Sequence, residues 1–130
     1  MRILAAGLLA LALVVLASTA AAQSSCRFVL GFAALRTTIG AQRAGTCLED
    51  EWTTTSDVSF HLGAMTLKAP SGSVVQRTTT GVFVWLPAIN STQFLTEDGY
   101  WVQAEPAATY RTWSATEAQQ GAPPTGTADH

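Results

Sequence analysis

Hydrophobic and polar positions fall into distinct regimes along this chain. Residues 3–17 carry no charged or strongly polar side chain. After Cys26 the spacing changes: Phe28, Phe32, Leu35 and Ile39 recur at one helical face, and Val29 and Leu30 widen it. The spacing predicts a helix over about 26–38 with its apolar stripe in the core. Gly31 weakens that helix by roughly 1 kcal/mol relative to alanine, and Gly40 is a natural stop just past the last apolar position. Further on the period becomes two. Val58, Phe60 and Leu62 alternate with Ser59 and His61, and Met65 and Leu67 resume the pattern after Gly63. Pro70-Ser71-Gly72 marks a turn, and Val74-Val75 opens another extended run. Val82-Phe83-Val84-Trp85 is the most strand-prone segment of all, ended by Pro87. Gln93-Phe94-Leu95 and Tyr100-Trp101-Val102 flank Glu97-Asp98-Gly99, a tight-turn signal. A helix followed by strands predicts an α+β fold: one N-terminal helix on a small antiparallel meander sheet.

The two ends of the chain change the picture. Met1-Arg2 sets a positive charge before the apolar run, and Ser18-Thr19-Ala20-Ala21-Ala22 offers small residues for cleavage before Gln23. That order describes a secretory signal peptide over residues 1–22. A membrane anchor is the rival reading, since the uncharged stretch is about as long as a bilayer-spanning helix. Lipid attachment to Cys26 is disfavoured, because Gln23-Ser24-Ser25 lacks the aliphatic residue such a site needs. Cleavage leaves about 108 residues, enough for one core, with the single domain expected over 23–118. Residues 119–130 are rich in Gly, Pro, Thr and Ala without a large apolar side chain, and read as a disordered tail.

Composition excludes some classes. The formal net charge is −2, one unit more negative once Arg2 leaves, so there is no basic footprint for nucleic acid. Cys26 and Cys47 are the only cysteines, and in an exported chain they predict one disulfide, with two buried thiols as the alternative. They close a loop of about 20 residues, worth roughly 3 kcal/mol in the chain-entropy model. The expected location is secreted, extracellular or cell envelope, with no membrane attachment after cleavage. No CxxC accompanies the two histidines, so a zinc site is unsupported. The sequence sets no oligomeric state.

Several motifs occur together in a familiar order. They are Leu30-Gly31-Phe32, Gly45-Thr46-Cys47-Leu48-Glu49, then Gln76-Arg77-Thr78-Thr79-Thr80-Gly81-Val82-Phe83-Val84-Trp85. Asn90-Ser91-Thr92-Gln93-Phe94 and Gly99-Tyr100-Trp101-Val102 follow. Across residues 28–102 the chain resembles a family of small, uncharacterised domains in exported and surface-associated bacterial proteins, often appended to other modules. The resemblance implies a fold and a compartment and no particular chemistry. The chain departs from the family pattern at Leu86-Pro87 and Ile89, where the family carries charges. The stretch between Glu51 and Gln76 is also longer.

Candidate chemistry is sparse. Glu49, Asp50 and Glu51 bring three carboxylates together and Glu97-Asp98 two more, which suits acid–base work or calcium. A solvated surface and a turn are the plainer reading, and no calcium-loop spacing is present. His61 lies between Phe60 and Leu62 and points away from the core if they point in. No G-x-S-x-G or Cys–His nucleophile pattern, dinucleotide fingerprint or P-loop accompanies it. No catalytic residue, metal ligand or cofactor is therefore assigned.

Binding is the better-supported class. The four tryptophans all lie in the mature chain, together with Tyr100 and Tyr110. Their flat, partly polar rings suit sugar rings or protein surfaces, or simply fill a core. Along the strand at 82–85, Val82 and Val84 face one way, Phe83 and Trp85 the other. The strand is either covered on both faces or turns one pair toward a ligand. Tyr100 and Trp101 likewise point to opposite faces. Asn90-Ser91-Thr92 is a formal glycosylation acceptor, and equally a turn held by its own side chains. Trp85, Asn90, Tyr100 and Trp101 are the candidate binding residues. The expected role is a non-catalytic exported domain that binds cell-envelope polysaccharide or a protein partner. The alternatives are a small secreted hydrolase or hydrolase inhibitor using the acidic cluster, and a purely structural domain.

Overall fold

The computed structural model describes residues 25–104 and 107–114. The leader expected over 1–22 and the tail expected over 119–130 lie outside the described residues. The order of elements is α1 (Leu30–Ile39), α2 (Ala41–Ala44), β1 (Trp52–Thr53), β2 (Val58–Leu62), β3 (Met65–Ala69), β4 (Val74–Arg77), β5 (Val82–Leu86), a 3-10 turn (Pro87–Ile89), β6 (Ser91–Leu95), β7 (Gly99–Gln103) and β8 (Ala108–Thr112). The fold is α+β, as the patterning predicts. β4 to β8 form an antiparallel meander with β1 added beside β4, giving the order β1-β4-β5-β6-β7-β8.

The strands from Val58 to Ala69 do not join that sheet. β2 and β3 pair only with each other, and this hairpin packs across the sheet face opposite the helix. Phe60, Met65, Leu67 and Ala69 meet Val75, Val82, Val84, Leu86, Leu95 and Tyr100 there. The two ends of the hairpin are clamped at Thr54, a buried residue whose Oγ1 donates to Pro70 O at 2.8 Å and accepts from Ser73 N at 3.1 Å. On the other face Phe32, Leu35, Ile39 and Ala44 cover Phe83 and Phe94. The sheet is thus buried on both sides, which explains why Val82–Leu86 is apolar at successive positions.

The helix begins at Leu30, four residues after the predicted start. The segment before it spends its backbone groups elsewhere. The Cys26–Cys47 disulfide anchors its beginning, Arg27 N donates to Asp50 Oδ1 at 3.0 Å, and Arg27 O accepts from Gln76 Nε2 at 2.9 Å. Phe28 still reaches the predicted core, with its ring 5.4 Å from that of Phe83. It arrives there on chain that is not helical. The stop is where the pattern places it: Gly40 caps α1 at φ 98, a conformation that costs glycine little.

The threonine-rich turn before β5 is knitted to the disulfide loop. Thr78 Oγ1 accepts from Gly81 N at 3.0 Å and Thr80 N at 3.2 Å. Thr79 N donates to Thr46 O at 3.0 Å, and Thr80 Oγ1 to Arg43 O at 2.6 Å. Cys47 itself bridges to Thr78 as an isolated antiparallel pair. The polar run Gln76–Thr80 therefore locks the loop after α2 to the sheet.

Candidate functional site

Strand register places Trp85 and Trp101 in two cross-strand rows on the helix-facing side. One row runs Thr53, Val74, Trp85, Thr92 across β1, β4, β5 and β6. The other runs Gln76, Phe83, Phe94, Trp101, Tyr110 across β4 to β8. Helix α1 lies over the middle of the second row. Each row emerges from beneath the helix at a different end.

At the start of α1 the emerging ring is Trp85, half-buried. Its Nε1 donates to Asn90 Oδ1 at 3.2 Å. Asn90 holds a left-handed backbone, φ 48 and ψ 48, at the end of the 3-10 turn, and its N–H donates to Pro87 O at 3.2 Å. Asparagine tolerates that conformation better than most residues, so one residue both closes the turn and aims the indole. Beside the ring opens a groove of about 340 Å³, with Val29, Leu30, Val74, Asn90, Thr92 and Glu51 among its walls. Leu30 is 85% exposed and sits at φ 47, a strained backbone for a branched side chain. Val29 and Ile89 add further exposed apolar surface nearby.

At the far end of α1 the second row surfaces as Trp101, half-buried, and Tyr110, 42% exposed. Their ring centroids are 4.9 Å apart and inclined by 49°. The Arg43 guanidinium stands 5.6 Å from the Trp101 ring centre. The concavity over these rings measures about 480 Å³ and is edged by Thr80, Thr96, Glu97 and Asp98. Gly99 makes the arrangement possible. A Cβ there would collide with Arg111 O and press on the Tyr110 phenol.

Of the four candidate residues, Trp85 and Asn90 therefore share one groove, while Trp101 belongs to another. Tyr100 joins neither. It is buried on the hairpin side against Trp113, ring centroids 4.7 Å apart, and Trp113 Nε1 donates to Thr96 O at 2.8 Å.

The acidic run is dispersed by the fold. The Glu49 carboxylate is bound by Arg77, with Nε to Oε1 at 2.9 Å and Nη2 to Oε2 at 3.2 Å. Burial pushes its pKa up, but hydrogen bonds from the Arg77 side chain, the Trp52 indole and the Arg77 amide outweigh it and hold the group below its usual value. Asp50 accepts from Arg27 N, and Glu51 faces the Trp85 groove. His61 is exposed, its Nδ1 3.3 Å from Thr66 Oγ1. Among the described residues no three His, Cys, Asp or Glu side chains gather as a metal site.

Sequence reasoning overlooked Gln76 and Arg43. It also placed Val29 and Leu30 on the core-facing stripe, whereas both are exposed, because the helix begins only at Leu30 and Leu30 itself takes a left-handed backbone. Gln76 is fully buried, and its Nε2 donates to both Arg27 O at 2.9 Å and Glu49 O at 2.8 Å. Its place in the extended run opened by Val74-Val75, two positions after Val74 on the same strand face, was the available signal. Arg43 carries no local signal, since only the tertiary fold brings it to Trp101. Comparison with family models, curated proteins and solved structures returns no match.

Proposed function

We propose that this chain is an exported, non-catalytic binding domain that takes an apolar segment of a protein partner into the Trp85 groove. The observation that carries this reading is Leu30. A large apolar side chain 85% exposed, on a left-handed backbone, beside a hydrogen-bonded tryptophan, is a cost to the free protein that partner binding would offset. The groove falls within the usual size of ligand sites, about 300–1,000 Å³. Glu51 on its rim favours a basic residue next to the partner's apolar anchor. The disulfide and the family resemblance of residues 28–102 support an exported setting.

Titration with extended peptides carrying one large apolar residue beside Lys or Arg tests the reading, with amide NMR shifts as the readout. Shifts should cluster at Leu30, Gly31, Asn90 and Thr92 and vanish in Leu30→Asn. Glu51→Gln should weaken binding about five-fold, the worth of a partly exposed charge pair. Leu30→Asn should leave the fold as stable or up to about 1 kcal/mol more stable, because asparagine accepts the left-handed backbone. No peptide-induced shift at the groove, or shifts that survive Leu30→Asn, would count against it.

A further inference from the structure

We infer that the Trp101–Tyr110 end of the aromatic row is a second, separate binding site, for a neutral pyranose unit of an envelope polysaccharide. This goes beyond the Trp85 groove and does not depend on it. The two sites lie at opposite ends of α1, a helix about 15 Å long at its ten residues.

The floor of the site is apolar and fixed in place. Trp101 rests beside Phe94 at the end of the buried row, and Tyr110 lies over the space that Gly99 leaves open. Rings held this way lose little freedom when a ligand stacks on them. Their 49° inclination forms a shallow V, which suits one sugar ring resting its C–H face on an aromatic face. Tyr110 also stands on β8, the last strand of the sheet among the described residues. A polymer running past this edge meets no further strand among the described residues.

The rim decides the ligand's charge. Arg43 already places a cation 5.6 Å from the Trp101 ring centre, so a ligand ammonium finds that aromatic face taken. An anionic ligand would meet Glu97 and Asp98 on the same rim. A neutral, hydroxyl-rich ring avoids both conflicts. Its hydroxyls accept from the guanidinium and donate to the carboxylates, and bonds to charged partners are stronger than neutral ones. Thr80 and Thr96 spend their hydroxyl protons on Arg43 O and Gly99 O, so each can meet a ligand only as an acceptor, and the Thr96 oxygen already accepts from Gly99 N at 3.2 Å.

The test uses the disulfide-bonded protein with chitohexaose and cellohexaose as neutral probes, and fully deacetylated chitosan hexamer and hexagalacturonate as charged ones. Amide NMR shifts and calorimetry are the readouts. At least one neutral oligosaccharide should bind with shifts at Thr96, Asp98, Trp101 and Tyr110. Its Kd should change by less than about two-fold between low and high salt, since no net charge is neutralised. Tyr110→Ala should weaken binding by about five-fold or more while Tyr110→Phe retains it, as stacking requires. Asp98→Ala, in an exposed turn, should weaken it as well without touching the sheet. Leu30→Asn should leave it unchanged. The inference is overturned if neither neutral probe binds, if only a charged probe binds, or if Tyr110→Ala and Asp98→Ala both bind normally. Loss of sugar binding in Leu30→Asn would also overturn it, by moving the sugar to the Trp85 groove.

Discussion

Glu49 feels two opposing influences at once: partial burial, which disfavours its charge, and the Arg77 fork, which holds it. The fork wins, so the folded protein binds this proton more weakly than the unfolded chain. The resulting stability is fully present above the unfolded value near 4.5 and is lost as pH falls through the depressed folded value. The Arg77 side chain is 53% exposed, so solvent screening keeps the contribution below about 1 kcal/mol. Denaturant unfolding of the native chain and Glu49→Gln, repeated from pH 7 to pH 3, should show a small gap at neutral pH that closes in acid. A gap that is constant with pH would mean that the substitution acts through packing. Glu49, read from the sequence as one of three clustered acids, thus acts mainly as a brace between the disulfide loop and β4. Neighbouring positions shared nothing beyond sequence adjacency: Asp50 braces the segment before α1, and Glu51 opens onto a groove.

At the scale of elements, the helix face was legible because a period of 3.6 survives whatever packs on it. Its first turn was not. Phe28 keeps the spacing, yet Cys26 to Val29 are not helical, because Gln76 and Asp50 capture the backbone of Arg27 from across the molecule. Gln76 is the hinge of that arrangement, and removing it should be felt directly. Gln76→Leu keeps the approximate volume but leaves Arg27 O and Glu49 O without their donor. A loss of about 2 kcal/mol is expected, within the range for buried groups stripped of a partner. Urea unfolding measures it, and an unchanged midpoint would show that water replaces the amide. β8 escaped notice for a different reason. Ala108–Thr112 is exposed at most positions, so it lacks the apolar alternation that marks a buried strand. Tyr110, the ring on which the sugar site depends, stands on that strand.

For the molecule as a whole, the Cys26–Cys47 bond ties the start of the described chain to the loop that the threonine turn also grips. With a sequence separation of 21 between its partners, its removal should cost roughly 3 kcal/mol. In a domain of this size that lowers Tm by roughly 10 °C or more. Thermal unfolding with and without a reductant checks this, and an unchanged Tm would show that the hydrogen bonds of Gln76 and the threonines suffice to hold the loop. The sequence by itself determined the α+β class, the one pairing open to its two cysteines, and the core face shared by Phe32, Leu35 and Ile39. These follow from local periodicity and from counting, and both are properties of the chain alone. Only the tertiary structure decided which rings meet solvent. Alternation shows that Tyr100 and Trp101 point opposite ways, but not what lies on each side. The β2–β3 hairpin buries Tyr100, and α1 is too short to cover Trp85 at one end or Trp101 and Tyr110 at the other. Exposure is a property of what packs on a face, and those contacts join residues far apart in the chain.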